Sequence, residues 1–292
     1  MKTLYAFFGL FLLMSCSSSD DSGPQPAIDP TKLKKVVFNQ GEVWDFNADG
    51  LVTKITSPDI SYTFTYDAQN KLTKVVNNTA IGTITHTFTY DASNFISTVD
   101  GYPVAYSYGT EFGRYTFEYE IPSGGTIYDD PHRTEIELNS DLLMIGKKVF
   151  FMQNAASGDE EIFYPSITAS FINGNMAYCA MNESELEYHY QFDTKTNPLR
   201  AAVFPAFRAM CLINGDVAYG QALYLVMANS HISTNNVTHE AHGVGSPESM
   251  EFTYDYNALN LPVIKTSHLY IGGEPADQYE FAHYYYQGDT LP

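Results

Sequence analysis

The sequence is poor in basic residues. Its 292 residues contain 15 Lys and Arg against 34 Asp and Glu, which gives a net charge of −19 at pH 7. A surface with this excess of negative charge repels polyphosphate and anionic lipid headgroups. We therefore expect no nucleic-acid partner and no electrostatic attachment to an anionic membrane surface.

Long hydrophobic runs are also missing, except for one at the N-terminus. The apolar segment from Leu4 to Met14 has 11 residues, whereas about 20 are needed to cross a bilayer. Because Lys2 precedes this segment and small residues follow it, the pattern predicts a signal peptide over residues 1–15.

The end of this segment, Leu13-Met14-Ser15-Cys16, resembles the lipobox of bacterial lipoproteins. The resemblance implies that Cys16 is lipid-modified, is the first residue of the mature protein and anchors it in a membrane. An ordinary signal peptide that ends beside a cysteine is the alternative.

The tract after the cysteine predicts a flexible linker over residues 16–31. It reads SSSDDSGPQPAIDP from Ser17 to Pro30, a composition too polar to bury apolar surface. Ser17 resembles the sorting signal for the outer membrane, and Asp20-Asp21 resembles the signal for export to its outer face. We expect the remaining residues, 32–292, to form a single domain.

Cysteine is scarce in that domain. Only Cys179 and Cys211 remain, in a compartment where disulfides persist. A disulfide between them would stabilise the fold by roughly 3 to 4 kcal/mol in the chain-entropy model. Both cysteines lie in apolar runs, so two separate buried thiols are the alternative.

Catalytic and cofactor motifs are absent too. The sequence has no Gly-x-Ser-x-Gly and no phosphate-binding glycine loop. His239 and His242 are three residues apart, whereas the zinc-protease motif spaces its histidines four apart on a helix. The glycines and asparagines around them predict a loop, so we expect no metal site and no cofactor.

Paired acids are the one feature that would suit an enzyme. A glycosidase needs two carboxylates roughly 5 to 10 Å apart. Candidate acids stand at Asp129-Asp130, Asp159-Glu160-Glu161 and Glu183-Glu185-Glu187. Solvated loop acids explain them equally well in so acidic a chain, and hydrolysis of a surface polysaccharide remains an alternative function.

A short repeat is the most informative feature that is present. FNADGLVTKI from Phe46, YDAQNKLTKV from Tyr66 and YDASNFISTV from Tyr90 align without a gap. YNALNLPVIK from Tyr256 is a later copy, and FDTKTNPLRA from Phe192 is a looser, lengthened one. Aromatic and threonine residues alternate before each turn, which indicates β-strands.

The shared positions of the repeat predict a tight hairpin turn. An Asp or Asn accepts backbone N–H groups at the start of the turn, and a Gly or Asn takes the left-handed conformation three residues later. These pairs are Asn47 and Gly50, Asp67 and Asn70, Asp91 and Asn94, and Asn257 and Asn260.

The first copy, DFNADG from Asp45 to Gly50, also looks like the opening of a calcium loop. Such a loop needs a bidentate acid at its twelfth position, and that position is Thr56. The sister copies replace Asp49 with Gln69 and Ser93. The turn interpretation is therefore favoured over a metal site.

The repeat resembles the YD repeats of the RHS family, which build spiralling β-sheets. The order of YHYQFDTKTNPL, SHISTNNVTHE and FTYDYNALNLPVIKT in the second half is similar to a family of Gram-negative surface lipoproteins of unknown function with a porin-like β fold. The resemblance implies an all-β protein and carries no catalytic residues.

The residues themselves predict an antiparallel meander of hairpins. We expect a strongly curled sheet or a barrel-like fold with its aromatic face inside, and one short mixed insertion around residues 200–230, where Pro205 interrupts a helix.

The predicted function is a non-catalytic binding or scaffold role on the cell envelope, with a structural envelope component as another alternative. The 23 Tyr and 19 Phe residues of the chain suit a glycan or an envelope protein as partner. Most of these aromatics are expected to fill the core.

Overall fold

The computed structural model describes residues 28–80, 82–109, 114–121, 132–154, 159–181, 186–210, 231–243 and 247–291. The predicted signal peptide, Cys16 and most of the predicted linker lie outside these ranges. Cys211 and the acids Asp129, Asp130, Glu183 and Glu185 lie outside them as well.

The described part of the chain is almost entirely β-structure, with one helix, α1 (Pro198–Met210). Its strands are β1 (Leu33–Phe38), β2 (Val43–Phe46), β3 (Val52–Thr56), β4 (Ile60–Tyr66), β5 (Leu72–Thr79), β6 (Gly82–Tyr90), β7 (Ile96–Val99), β8 (Tyr102–Gly109), β9 (Arg114–Ile121), β10 (His132–Leu138), β11 (Met144–Asn154), β12 (Asp159–Ile172), β13 (Asn175–Met181), β14 (Leu186–Thr196), β15 (Asn235–His242), β16 (Glu248–Tyr256), β17 (Pro262–Ile271) and β18 (Glu274–Tyr286).

Every strand pairs antiparallel with the next strand in the sequence, from β1–β2 to β17–β18. In addition, β18 pairs with β1, where Val36 lies opposite Tyr284 and Phe38 opposite Ala282. The sheet therefore curls until its first and last strands are neighbours, which confirms the predicted all-β meander. Strand twist, accumulated over many neighbours, produces such curling.

One face of the sheet is buried and the other is exposed to solvent. In β4, Tyr62 and Phe64 are buried whereas Thr63 and Thr65 are exposed. Because successive side chains in a strand point to opposite faces, this alternation places the aromatic residues on the inner face, as predicted.

Helix α1 packs on the inner face, against β1, β3 and β5. Asn197 begins the helix: its Oδ1 accepts the Leu199 N–H at 3.0 Å, and its amide donates to the carbonyls of His231 and Ser233. The helix lies in the region where a mixed insertion was predicted. Its buried residues are Leu199, Ala202, Val203, Ala206, Phe207, Ala209 and Met210.

The expectation that Pro205 interrupts this helix is wrong. The helix continues for five residues past the proline, to Met210. Proline removes one helical hydrogen bond, but Val203 and Phe207 are buried on either side of it. Tertiary packing therefore holds both halves of the helix in place.

The loose repeat copy at Phe192 lies in β14, which continues to Thr196, and Asn197 then begins α1. One further local expectation is wrong. The segment around His239 and His242 is the strand β15, not a loop. Residues three apart in a strand lie on opposite faces, so these two histidines do not face a common ligand.

Within the described ranges, no helix combines the length and the apolar character needed to span a bilayer.

Candidate functional site

Five tight turns share one hydrogen-bond pattern in the described structure. The Oδ1 atom of the first turn residue accepts the backbone N–H groups two and four residues later, at 2.8 to 3.1 Å. These first residues are Asn47, Asp67, Asp91, Asn139 and Asn257. The residue three positions later has a positive φ in each turn: Gly50, Asn70, Asn94, Leu142 and Asn260.

The turn at Asn139 was missed by the sequence comparison. Leu138 stands where the other copies have an aromatic residue, and Leu142 stands at the left-handed position with φ 61°. A leucine there carries a steric cost of roughly 1 to 2 kcal/mol. Leu142 also packs against the core, and this burial offsets part of that cost.

In DFNADG two of the three potential calcium ligands, Asn47 and Asp45, are used within the protein. Asn47 Oδ1 binds the backbone of its own turn, and the Asp45 carboxylate pairs with Lys35 at 2.9 Å. No group of three or more His, Cys, Asp or Glu side chains among the described residues is arranged to hold a metal ion.

The tyrosines near these turns have a structural role that the sequence comparison did not reveal. Tyr66 Oη donates to the Val52 carbonyl at 2.7 Å, and Tyr90 Oη donates to the Leu72 carbonyl at 2.8 Å. Tyr254 and Tyr286 donate in the same way to the carbonyls of Val237 and Pro262. Each bond crosses from one strand to the preceding one, so these hydroxyls tie neighbouring hairpins together.

Burial affects the acidity of these hydroxyls. It raises the pKa of Tyr90 to about 12 and raises the pKa values of Tyr66 and Tyr286 further. The hydroxyl groups of these tyrosines are therefore neutral and act as hydrogen-bond donors in a packed core.

The inner face also carries polar side chains whose hydrogen-bonding capacity is not satisfied. Tyr62, Asn77 and His86, on the adjacent strands β4, β5 and β6, are 1%, 0% and 8% exposed. Tyr62 Oη, both amide atoms of Asn77 and His86 Nε2 are buried without a hydrogen-bond partner. We call these three residues the inner-face polar cluster.

Strand register brings the cluster together. Tyr62 lies directly opposite Asn77 across β4 and β5. Asn77 lies opposite Ile84, and Val75 lies opposite His86, across β5 and β6. Asn77 and His86 are thus diagonal neighbours on one face, about 7 to 8 Å apart between Cα atoms for this geometry.

An aspartate orients the histidine of the cluster. His86 Nδ1 lies 2.7 Å from Asp100 Oδ2, and Asp100 Oδ1 accepts the Thr87 N–H at 2.6 Å. Asp100 sits in a turn with φ 53°. When Nδ1–H donates to this carboxylate, the neutral ring presents Nε2 as an acceptor.

A second carboxylate borders the cluster. Glu42 accepts from Trp44 Nε1 at 2.6 Å and from Ser57 Oγ at 3.0 Å. Burial raises the pKa of Glu42. Burial, together with the charge of Glu42, raises the pKa of Tyr62 to about 12.

A buried lysine lies on the same face, on β17. Lys265 Nζ lies 3.7 Å from the ring centroid of Phe252 and 4.7 Å from that of Phe281. Burial lowers the pKa of Lys265 to about 7, and Glu240 opposes this shift. Cation–π contact with two rings compensates part of the lost hydration of the ammonium group.

Two histidines near Lys265 have pKa values that are shifted in opposite directions. Burial first, and then the charge of Lys265, lower the pKa of His231 to about 3. The hydrogen bond from His242 Nε2 to Glu240 Oε1, at 3.3 Å, raises the pKa of His242.

The residues predicted for other roles are scattered. Cys179 is a buried thiol; Cys211 lies outside the described residues, so their pairing stays a prediction. Glu187 accepts a hydrogen bond from Tyr178 Oη at 3.3 Å. Asp159, Glu160 and Glu161 lie at the start of β12, paired with β11, and their side chains lie outside the described part of the structure.

The inner-face polar cluster was missed by the sequence analysis, although a signal was present. Asn77 shares its strand parity with Val75, and His86 shares its parity with Phe88. A polar residue in the apolar phase of an alternating strand indicates a buried polar group.

Comparison with known proteins gives one family match. Residues 46–81 match the family model described as RHS Repeat, and they span the first two repeat copies. No curated protein matches the chain.

Two porin-like proteins of known structure resemble the fold. One, from Bacteroides uniformis, is 14% identical, with 90% of this chain and 100% of that chain covered and a TM-score of 0.33. The other, from Bacteroides vulgatus, is 11% identical, with 88% and 99% covered and a TM-score of 0.35.

Proposed function

We propose that this protein is a lipid-anchored component of the outer membrane with a non-catalytic binding or scaffold role. In this proposal Cys16 carries the lipid, residues 16–31 act as the tether, and the β domain extends into the aqueous phase. The exposed threonines on the outer face of β4 and the net charge of −19 support a domain that stands in water.

The observation that carries the binding role is a pair of exposed tyrosines on β8, Tyr106 and Tyr108, which are 45% and 50% exposed. Because they are two residues apart in a strand, they lie on one face of it. Exposed aromatic rings stack on sugar rings and anchor protein partners. A glycan or an envelope protein is the proposed partner class, and the negative charge disfavours nucleic acid.

The anchoring part of the proposal is tested by Cys16→Ser in the native host. Metabolic labelling with an alkyne fatty acid should mark the parent and leave the variant unlabelled, and the parent should fractionate with the outer membrane. Protease treatment of intact cells then reports whether the domain faces outward. Labelling that persists in Cys16→Ser would contradict the proposal.

The non-catalytic part is tested by incubating the purified soluble domain with surface polysaccharide from the same cells. We expect retention of the polysaccharide without shortened chains in the mass spectrum, and a separate pull-down from solubilised outer membranes tests retention of an envelope protein. Cleavage products that disappear in Asp130→Asn, Glu160→Gln or Glu185→Gln would instead support the hydrolase alternative.

A further inference from the structure

We propose that the first part of β18, residues Glu274–Glu280, binds an extended, basic peptide segment of an envelope protein, which joins the sheet as an additional strand. We call this segment the β18 edge. The inference rests on the proposed binding function, for which it names a second surface and the chemistry of a partner, and it does not depend on the tyrosines of β8.

The first argument is that β18 extends beyond one of its two neighbouring strands. It pairs with β17 from Glu274 onward, but its pairing with β1 ends where Phe38 lies opposite Ala282. Among the described residues, no strand pairs with Glu274–Glu280 on the side away from β17. This stretch is therefore an open strand edge.

A tight turn after β1 leaves this edge open. Asn39 N–H donates to the Phe281 carbonyl at 3.1 Å, and Gly41 N–H donates to the Phe38 carbonyl at 3.1 Å. Gly41 has φ 83°, and the chain turns back into β2 instead of continuing along β18. An open edge presents backbone N–H and C=O groups, which pair readily with a strand from another chain.

The exposure of the β18 edge agrees with this topology. The consecutive residues Glu274–Gln278 are all exposed, whereas exposure alternates along a strand that has one face in the core, such as β4. An incoming strand therefore reaches the edge without displacing side chains. At roughly 3.4 Å per residue the edge is about 24 Å long, which suits a short extended peptide.

Charge defines the chemistry of the partner. The β18 edge carries Glu274, Asp277 and Glu280 and no Lys or Arg. Over residues 209–292 the only Lys or Arg is Lys265, and it is buried. A peptide with Lys or Arg side chains therefore meets opposite charge along the edge, without a nearby exposed cation to repel it.

The same features disfavour a second copy of this chain as the partner. Two copies paired edge to edge would bring acidic strands together, and like charges directly opposite each other destabilise a sheet. Pro275 has no N–H, and the Gln278 N–H donates to the Asp277 carboxylate at 2.8 Å. Proline and charge protect an edge against indiscriminate pairing, so a partner needs an attraction of its own, which basic side chains supply.

The experiment is a titration of the soluble Cys16→Ser form with a peptide of alternating lysine and valine, as long as the β18 edge. We expect binding that weakens as salt is added, because the attraction between exposed charges is screened. Hydrogen exchange measured by mass spectrometry should slow in Glu274–Glu280 when the peptide is bound.

Two control peptides separate strand addition from simple charge attraction. The first has the same side chains but a methyl group on alternate backbone nitrogens, so it keeps the charge and loses the ladder hydrogen bonds. It should bind at least tenfold more weakly, which corresponds to about 1.4 kcal/mol. The second has glutamate in place of lysine and should not bind.

Protein variants assign the site. Glu274→Gln combined with Asp277→Asn should weaken binding of the lysine peptide about tenfold. Asp49→Asn combined with Asp255→Asn is the matched control, because it removes the same charge from exposed positions at or beside the repeat turns, away from the β18 edge. It should bind like the parent. Melting temperatures close to that of the parent verify that both double variants are folded.

Equal affinity for the methylated and unmethylated peptides would overturn strand addition, and equal affinity of the two double variants would overturn the assignment to β18. No binding of the lysine peptide would overturn the partner chemistry. A dimer formed by the protein alone, with slowed exchange in Glu274–Glu280, would assign the edge to a second copy. The fatty-acid label on Cys16, polysaccharide retention and the membrane pull-down are measured separately, so their outcomes remain distinguishable from these.

Discussion

At the scale of single residues, the repeat tyrosine has two functions in the copies that begin at Tyr66 and Tyr90. Its ring fills the core, and its hydroxyl bridges to a carbonyl of the preceding strand, as Tyr66 does to Val52. Phe46 occupies the same repeat position in the first copy and lacks the hydroxyl. The bridge is therefore a stabilising addition to the repeat and not a condition for forming the turn.

Tyr66→Phe should lower the free energy of unfolding by about 1 to 2 kcal/mol, because the Val52 carbonyl loses its partner while the ring is kept. Tyr270→Phe is the control: its hydroxyl bonds Glu251 at an exposed site, where little change in stability is expected. Chemical denaturation measures both. Equal losses in the two variants would contradict a special role for the buried bridge.

Lys265 should make stability depend on pH. Its pKa falls from 10.5 to about 7 on folding, so above pH 7 the unfolded chain binds a proton that the folded chain does not. Stability should therefore rise between pH 7 and 8.5, by roughly 1 to 2 kcal/mol from this residue. His231, whose pKa is lowered to about 3, titrates below this window.

Lys265→Met removes the titrating group and keeps an apolar side chain of similar length. As the pH rises from 7 to 8.5, the unfolding free energy of the parent should rise relative to that of the variant. A constant difference across this range would show that the ammonium remains charged in the folded protein, held by Phe252 and Phe281.

At the scale of the structural element, the hairpin turn is the unit that the chain reuses. Its side-chain oxygen and its left-handed residue are supplied within four positions of sequence, so each turn forms largely independently of the rest. The turn at Asn139 and Leu142 shows that the oxygen alone suffices when the surrounding strands hold the backbone.

Gly50→Val should destabilise the protein by roughly 1 to 2 kcal/mol, because a β-branched residue is forced into the left-handed region. Gly50 has φ 79°, and an added Cβ would lie 3.1 Å from the side chain of Lys32. Asp49→Ala, one residue earlier, should change stability little. Thermal melts of both variants, with calcium and with chelator, provide the measurement.

A calcium loop predicts a different outcome for these thermal melts. In that case the parent would melt higher with calcium, and Asp49→Ala would abolish the increase. Such a result would replace the turn interpretation of DFNADG with a metal site.

At the scale of the whole molecule, the pairing of β18 with β1 decides the shape of the sheet. Contacts between residues that are about 250 positions apart complete the arrangement, and the Gln287 amide adds bonds to the Leu33 and Asn47 carbonyls. A strand edge that is paired in this way is protected from joining another chain.

Cysteines at Val37 and His283, which are register partners, should form a disulfide in the soluble Cys16→Ser form on oxidation. In the chain-entropy model, a loop of this length stabilises the fold by about 5 kcal/mol. Mass spectrometry of the linked peptides and the melting temperature report the result. Cysteines at Val37 and Tyr285 are out of register, since Tyr285 pairs with Lys35, and should link poorly. Equal linkage in both pairs would contradict the register.

The repeat, its turns and the alternation of the strands were determined by the sequence itself. Their cause is local: an Asn or Asp oxygen, a left-handed Gly or Asn and a period of two act within a few residues. The class of fold followed from these signals, and so did the inner position of the aromatic residues such as Phe64.

Only the tertiary structure decided which side chains meet. Tyr62, Asn77 and His86 are up to 24 positions apart, and strand register alone makes them neighbours. The continuation of α1 past Pro205, the strand at His239 and the pairing of β18 with β1 likewise depend on packing between distant segments. Local propensities are weak against burial and cross-strand hydrogen bonds, and for that reason the sequence predicted the hairpins but not the polar cluster that they bring together.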